Sequence, residues 1–142
     1  MTPAGVIVLD FGPAQGGSIG VKKPASNVDL SVLGSLSFRG YMINSGKTQC
    51  VSITPNGDGT LHGMGYANPS GVETGTSDGG AGVTITFTGQ PNPGVISMNI
   101  ALGSGGSETV VACVNQVDGK YMLFGVGGGN ASPGYNVVLA QN

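Results

Sequence analysis

The sequence predicts an all-β protein, an antiparallel meander of short strands that closes into a small up-and-down barrel, with a β-sandwich as the alternative. Three observations carry this. Apolar and polar residues alternate with period two in segment after segment, and glycine- and proline-bearing turn signals separate those segments. In addition, 28 of the 142 residues are glycine, which costs ~1 kcal/mol relative to alanine inside a helix. One compact unit is expected at this length, with an N-terminal arm over residues 1–35 and a barrel over 36–142.

In the arm, residues 5–11 resemble a strand, 12–20 are glycine-rich, 22–27 are irregular, and 28–33 suit either a strand or a short helical turn. Such an arm, with one or two strands, is expected to cover or close the sheet. Strands are then predicted at 36–43, 49–54, 60–67, 71–76, 83–88, Val95–Leu102, 109–117, 120–126 and Tyr135–Gln141. The clearest places Val83, Ile85 and Phe87 on one face and Thr84, Thr86 and Thr88 on the other. Its successor sets Ile96, Met98, Ile100 and Leu102 against Ser97 and Asn99.

Asn56-Gly57-Asp58-Gly59 and Asp118-Gly119 supply residues that tolerate positive φ, so they read as hairpin turns joining antiparallel neighbours. Pro55, Pro69, Pro91, Pro93 and Pro133 fall between the predicted strands, where a missing N–H does no harm. About nine consecutive strands must hide their edges, and Gly40, Gly63, Gly65 and Gly125 within strands suit the tight coiling of a barrel.

Composition excludes several function classes. The basic residues Lys22, Lys23, Arg39, Lys47 and Lys120 form no run beyond one pair and net charge is −2, so no nucleic-acid partner is expected. Apolar runs such as residues 6–9 are far short of the ~20 residues of a transmembrane helix. The first residues lack a basic n-region and apolar stretch, while low charge with abundant Gly, Ser, Thr and Asn is common on bacterial and phage exteriors. The expectation is an extracellular or cell-surface protein whose leader lies outside the numbered chain. Cys50 and Cys113 allow one intramolecular disulfide, closing a loop of about 63 residues, or two buried thiols acting as small apolar groups. Both readings stand.

Phe38-Arg39-Gly40-Tyr41 at the first strong strand, followed by Asn56-Gly57-Asp58-Gly59-Thr60-Leu61-His62-Gly63 as a hairpin and further meandering strands, resembles the small bacterial extracellular β-barrels broadly similar to lipocalins. The likeness runs over 36–141 and implies an up-and-down barrel with capacity for a ligand. The chain has no tryptophan, so that family's Gly-x-Trp is absent.

Candidate chemistry is sparse. His62 is the sole histidine, so any nucleophilic mechanism must use it, with Cys50 or Ser52 from the neighbouring strand as partners; an ordinary cross-strand residue is the preferred reading. One histidine and two distant cysteines do not make a zinc site. Asn56 and Asp58 share a turn that invites calcium, but they lack the ligand count of an EF-hand, and turn formation accounts for Asp58. Gly125-Val126-Gly127-Gly128-Gly129 is not followed by a helix signal, so it is no phosphate cradle, and Asn130-Ala131-Ser132 matches a glycosylation sequon. Glu73 and Glu108 form a glycosidase pair only if the fold joins them. Tyr41, Tyr66, Tyr121 and Phe124, with Phe38 and Tyr135, either line a barrel mouth that takes a small apolar or carbohydrate ligand or fill the core.

No cofactor and no enzymatic activity are expected. The preferred function is a non-enzymatic, exported barrel module that binds a small ligand or serves as accessory domain of a surface protein. The alternative is a self-assembling structural subunit of an appendage, capsid or fibre, associating through exposed strand edges. An open, lined interior favours binding, and a filled one favours scaffolding.

Overall fold

The computed structural model describes residues 6–10, 17–22, 24–44, 47–74, 81–103, 105–127 and 135–142. Strands β1 (Val6–Asp10) and β2 (Gly17–Val21) form a separate antiparallel two-stranded sheet. After the short helix α1 (Leu30–Leu33), eight strands close into an antiparallel barrel: β3 (Phe38–Asn44), β4 (Lys47–Pro55), β5 (Leu61–Tyr66), β6 (Ala81–Asn92), β7 (Val95–Leu102), β8 (Ser107–Val117), β9 (Lys120–Gly127) and β10 (Tyr135–Gln141). Each barrel strand pairs with its sequence neighbour, and β10 returns to β3 with Leu139 opposite Gly40 and Val137 opposite Met42. This is the predicted meander, and closure rules out the sandwich. It also removes the free edges through which self-association was expected, because every barrel strand has two hydrogen-bonded neighbours.

The ninth strand expected at 71–76 is instead helix α2 (Pro69–Thr74). Asn68 Oδ1 accepts a hydrogen bond of 3.0 Å from the Gly71 amide, so Asn68 caps the helix and Pro69, whose missing N–H would have no partner there anyway, opens it. Two prolines also lie inside strands rather than between them. Pro55 ends β4, and Pro91 sits in β6 where the register against β7 shifts between Gly89 and Asn92, so its missing N–H falls at a break in the ladder. The hairpin turns stand as expected: Gly57, Gly59, Asp118 and Gly119 all have positive φ.

Strict alternation fills the barrel. Phe38, Met42, Val51, Ile53, Leu61, Val83, Ile85, Ile96, Met98, Ile100, Val110, Ala112, Val114, Leu123, Val137 and Leu139 form one continuous buried cluster. Among the described residues the buried set contains no polar or charged side chain. Glycine is required where walls crowd: a Cβ on Gly40 would collide with the Val138 carbonyl, and one on Gly125 would lie 2.6 Å from Val110 Cγ1 and 3.2 Å from Met98 Cε.

The segment before β3 closes one end of the barrel. Asn115 Nδ2 on β8 donates to the Lys22 carbonyl, Pro24 packs on Gly94 in the β6–β7 turn, and the Gln90 amide exchanges two hydrogen bonds (2.9 and 3.1 Å) with the Val28 backbone. Asp29 then caps α1 by accepting from the Ser31 amide at 2.9 Å and its hydroxyl at 2.7 Å, which holds the Asp29 carboxyl below its usual pKa. The helix aims Leu33, fully buried, into the core cluster, and Gly34 passes tightly over Gly59 of the β4–β5 turn. Residues 28–33 therefore take the helical alternative, and this part of the arm covers the barrel as expected.

Candidate functional site

Pleating gives the outer wall its own pattern. Cross-strand register links Cys113 to Phe124, Phe124 to Val138, Val138 to Tyr41, Tyr41 to Cys50 and Cys50 to Tyr66, so these six residues form one row running round the outside from β8 to β5. Tyr41, Tyr66 and Phe124 therefore do not face the barrel interior. They belong to the outer row, whereas Tyr121 lies on the inner face near the closed end, packed against the core, its amide donating to Gln141 Oε1 at 2.9 Å. Phe38 is core, and of Tyr135 only the backbone is described.

The same register corrects the disulfide. Cys50 on β4 and Cys113 on β8 are four strands apart in an eight-strand ring, on opposite sides of a filled barrel, and both thiols are free. A bridge needs Cα atoms within about 7 Å, which the barrel's diameter forbids. Cys50 is buried, as the apolar reading expected, while Cys113 is exposed.

Helix α2 folds back over β4 and β5 and buries Tyr66. Gly71 makes this approach possible, since a Cβ there would lie 2.7 Å from the tyrosine ring. Beside the helix is a groove of about 310 Å³. Its floor is the outer wall of β10, β3 and β4, with Tyr41, Cys50, Val138 and Ala140; Pro69 and Val72 of α2 form the facing side. Arg39 from β3 and Glu73 from α2 add one charge of each sign.

Around the wall the outward residues divide into two sectors. Over β5, β6 and β7 they are mostly polar, including His62, Thr84, Thr86, Ser97 and Asn99. Over β8, β9, β10 and β3 apolar side chains stand among polar and charged ones such as Thr109, Asn136, Arg39 and Lys120, and Val111 (46% exposed), Val126 (64%), Tyr41 (52%) and Ile43 (39%) stay open to solvent. Val111 pairs directly with Val126, and Asn136 links Val126 to Ile43, making a second row beside the first. Strand β2 approaches the wall at β8 and β9.

The remaining candidates stay apart. His62 is exposed, with Thr54 and Thr84 as its register neighbours; Ser52 pairs with Met64 and Cys50 with Tyr66. Glu73 sits outside the wall on α2, whereas Glu108 occupies an inward position on β8, so the two carboxylates are not joined. Asp58 accepts from the Thr60 hydroxyl (2.6 Å) and amide (2.9 Å) and from Asn56 Nδ2 (3.3 Å), which keeps its carboxyl below the usual pKa and serves the turn. Among the described residues no group of three or more His, Cys, Asp or Glu is placed to hold a metal. Gly128 and Gly129 of the 125–129 run and the Asn130 sequon lie outside the described residues. Among the described residues no helix is long and apolar enough to cross a membrane.

The groove escaped the sequence because its floor and its wall come from three strands and a helix that was read as a strand. The Asn68-Pro69 pair was the available signal for α2. No family model, curated protein or solved structure matches the chain.

Proposed function

We propose that this chain is a non-enzymatic structural module that works through the outside of its barrel, as a self-assembling subunit of an appendage, capsid or fibre. The observation that carries this reading is the pairing of a filled interior with solvent-open apolar side chains, Val111, Val126, Tyr41 and Ile43, gathered on β8, β9 and β3. A lipocalin-like carrier needs an interior cup, and here the inward positions hold packed aliphatic side chains. A second copy is the natural occupant of the sector. Val111 and Val126 are a directly paired, exposed apolar couple, Ile43 follows beyond Asn136 in the same row, and a chain with net charge −2 presents little repulsion between copies. Association uses the sheet face rather than strand edges. A bacterial or phage exterior setting belongs to the same proposal and is supported by the sparse charge and the Gly, Ser, Thr and Asn content.

Light scattering over a wide concentration range tests this. The mass should rise reversibly with concentration, and the double substitution Val111→Lys with Val126→Lys should hold the protein monomeric without unfolding it, since both side chains are exposed. A strict monomer throughout would remove the proposal.

A further inference from the structure

We propose that the groove beside α2 is a binding site for a small apolar zwitterion, namely a free amino acid with an aromatic or large aliphatic side chain. This site is separate from the self-association face and does not depend on it. Three features converge. The groove encloses about 310 Å³, room for a molecule of this class. Tyr41, Val138, Ala140 and Val72 offer it an apolar floor and side, so the ligand's hydrocarbon part is what enters. Arg39 and Glu73 line the same groove from different elements, one on a strand and one on the helix, and among the described residues neither forms an ion pair or hydrogen bond.

Charge complementarity selects the ligand. A guanidinium on one side matches a carboxylate, and a carboxylate on the other matches an ammonium group. A simple anion would leave Glu73 facing it, and a simple cation would face Arg39. A molecule carrying both charges next to an apolar body satisfies both walls at once, and two charge-assisted contacts discriminate it from either single-charge analogue.

The protein carries its own reporter. Cys50 lines the groove, while Cys113 is exposed on the opposite side of the barrel and serves as an internal control. Alkylation by iodoacetamide is followed by mass spectrometry of the peptides bearing each thiol. L-Phenylalanine at ten times its dissociation constant should slow Cys50 labelling about tenfold by mass action, with Cys113 unaffected. Phenylacetate and 2-phenylethylamine, each with a single charge, should protect far less. Arg39→Gln and Glu73→Gln should each remove the protection, and both side chains are exposed, so folding should survive. The Val111→Lys, Val126→Lys protein should be protected like the wild type, which separates this site from self-association. Where Cys50 labels too slowly to follow, NMR shifts on adding L-phenylalanine should concentrate at Tyr41, Val138 and Ala140. Absence of protection and of such shifts up to the solubility of L-phenylalanine would overturn the proposal. So would equal protection by a single-charge analogue, or parallel slowing of both cysteines.

Discussion

Placing a methyl group on Gly125 measures how full the barrel is. Its Cβ would lie 2.6 Å from Val110 Cγ1 and 3.2 Å from both Ala112 Cβ and Met98 Cε, against ~3.5–4.0 Å for comfortable carbon contacts. Overpacking of this kind costs about 1–3 kcal/mol, and the smaller conformational freedom of alanine in the unfolded chain returns about 0.4–1 kcal/mol. Gly125→Ala should thus destabilise by about 1–2 kcal/mol. Val110 is fully buried, and Val110→Ala removes two methyls at about 0.8 kcal/mol each plus a cavity term, about 2–3 kcal/mol in all. Independent effects would add to about 3–5 kcal/mol. In the double mutant, however, the new methyl at 125 occupies space that Val110 Cγ1 has left. The double should cost no more than Val110→Ala alone, a coupling of about 1–2 kcal/mol. Urea unfolding followed by circular dichroism, with the denaturant dependence unchanged, reads all four proteins. An open or hydrated interior gives the opposite pattern: Gly125→Ala neutral or stabilising, and an additive cycle. That result would refute the packing argument.

Gly119 has φ +78° in the β8–β9 turn with open space around its Cα, so Gly119→Ala should cost about 1 kcal/mol through backbone strain alone, whereas Gly119→Asn should cost less; thermal unfolding distinguishes them. The Asp58 and Asp29 carboxyls are held below their unfolded pKa by hydrogen bonds from Thr60 and Ser31. Each therefore binds its proton more readily in the unfolded chain; their stabilisation is complete above pH ~4 and fades as pH falls through the folded values, and Thr60→Val should weaken the Asp58 part of that loss. NMR titration reporting ordinary or raised values for both carboxyls would contradict this sign. Gly71→Ala should push α2 off the Tyr66 ring, and faster alkylation of Cys50 with Cys113 unchanged would report it.

Period-two patterning made most of the barrel legible, because each strand buries one face and solvates the other, and a slip of one residue would exchange them. Val95–Leu102 has the same bounds in sequence and structure for this reason. Residues 71–76 misled because Val72 and Thr74 carry strand propensity, while the cap that decides the matter lies outside that window at Asn68 and Pro69. Tyr41, Tyr66 and Phe124 were recognisable as an aromatic set, but their placement on the outer row depends on register across β9, β10, β3, β4 and β5. Burial of Tyr66 depends further on α2 docking, a tertiary event with no local signature. The groove's opposed charges, Arg39 and Glu73, lie 34 positions apart and meet only through that docking. Closure of the ring likewise follows from strand number and coiling rather than from any motif, with Gly40 the one local hint, since its missing side chain lets β10 pass close by.

The junction of β3 with β10 is the most direct place to measure, because an open meander and a closed barrel differ only there. Cross-strand NMR contacts between Gly40 and Leu139 and between Met42 and Val137, with amides on both strands protected from hydrogen exchange like those of β7 and β8, are the expected result. Missing contacts together with rapid exchange along β3 and β10 would mean that the sheet has two free edges and that the ring is not closed.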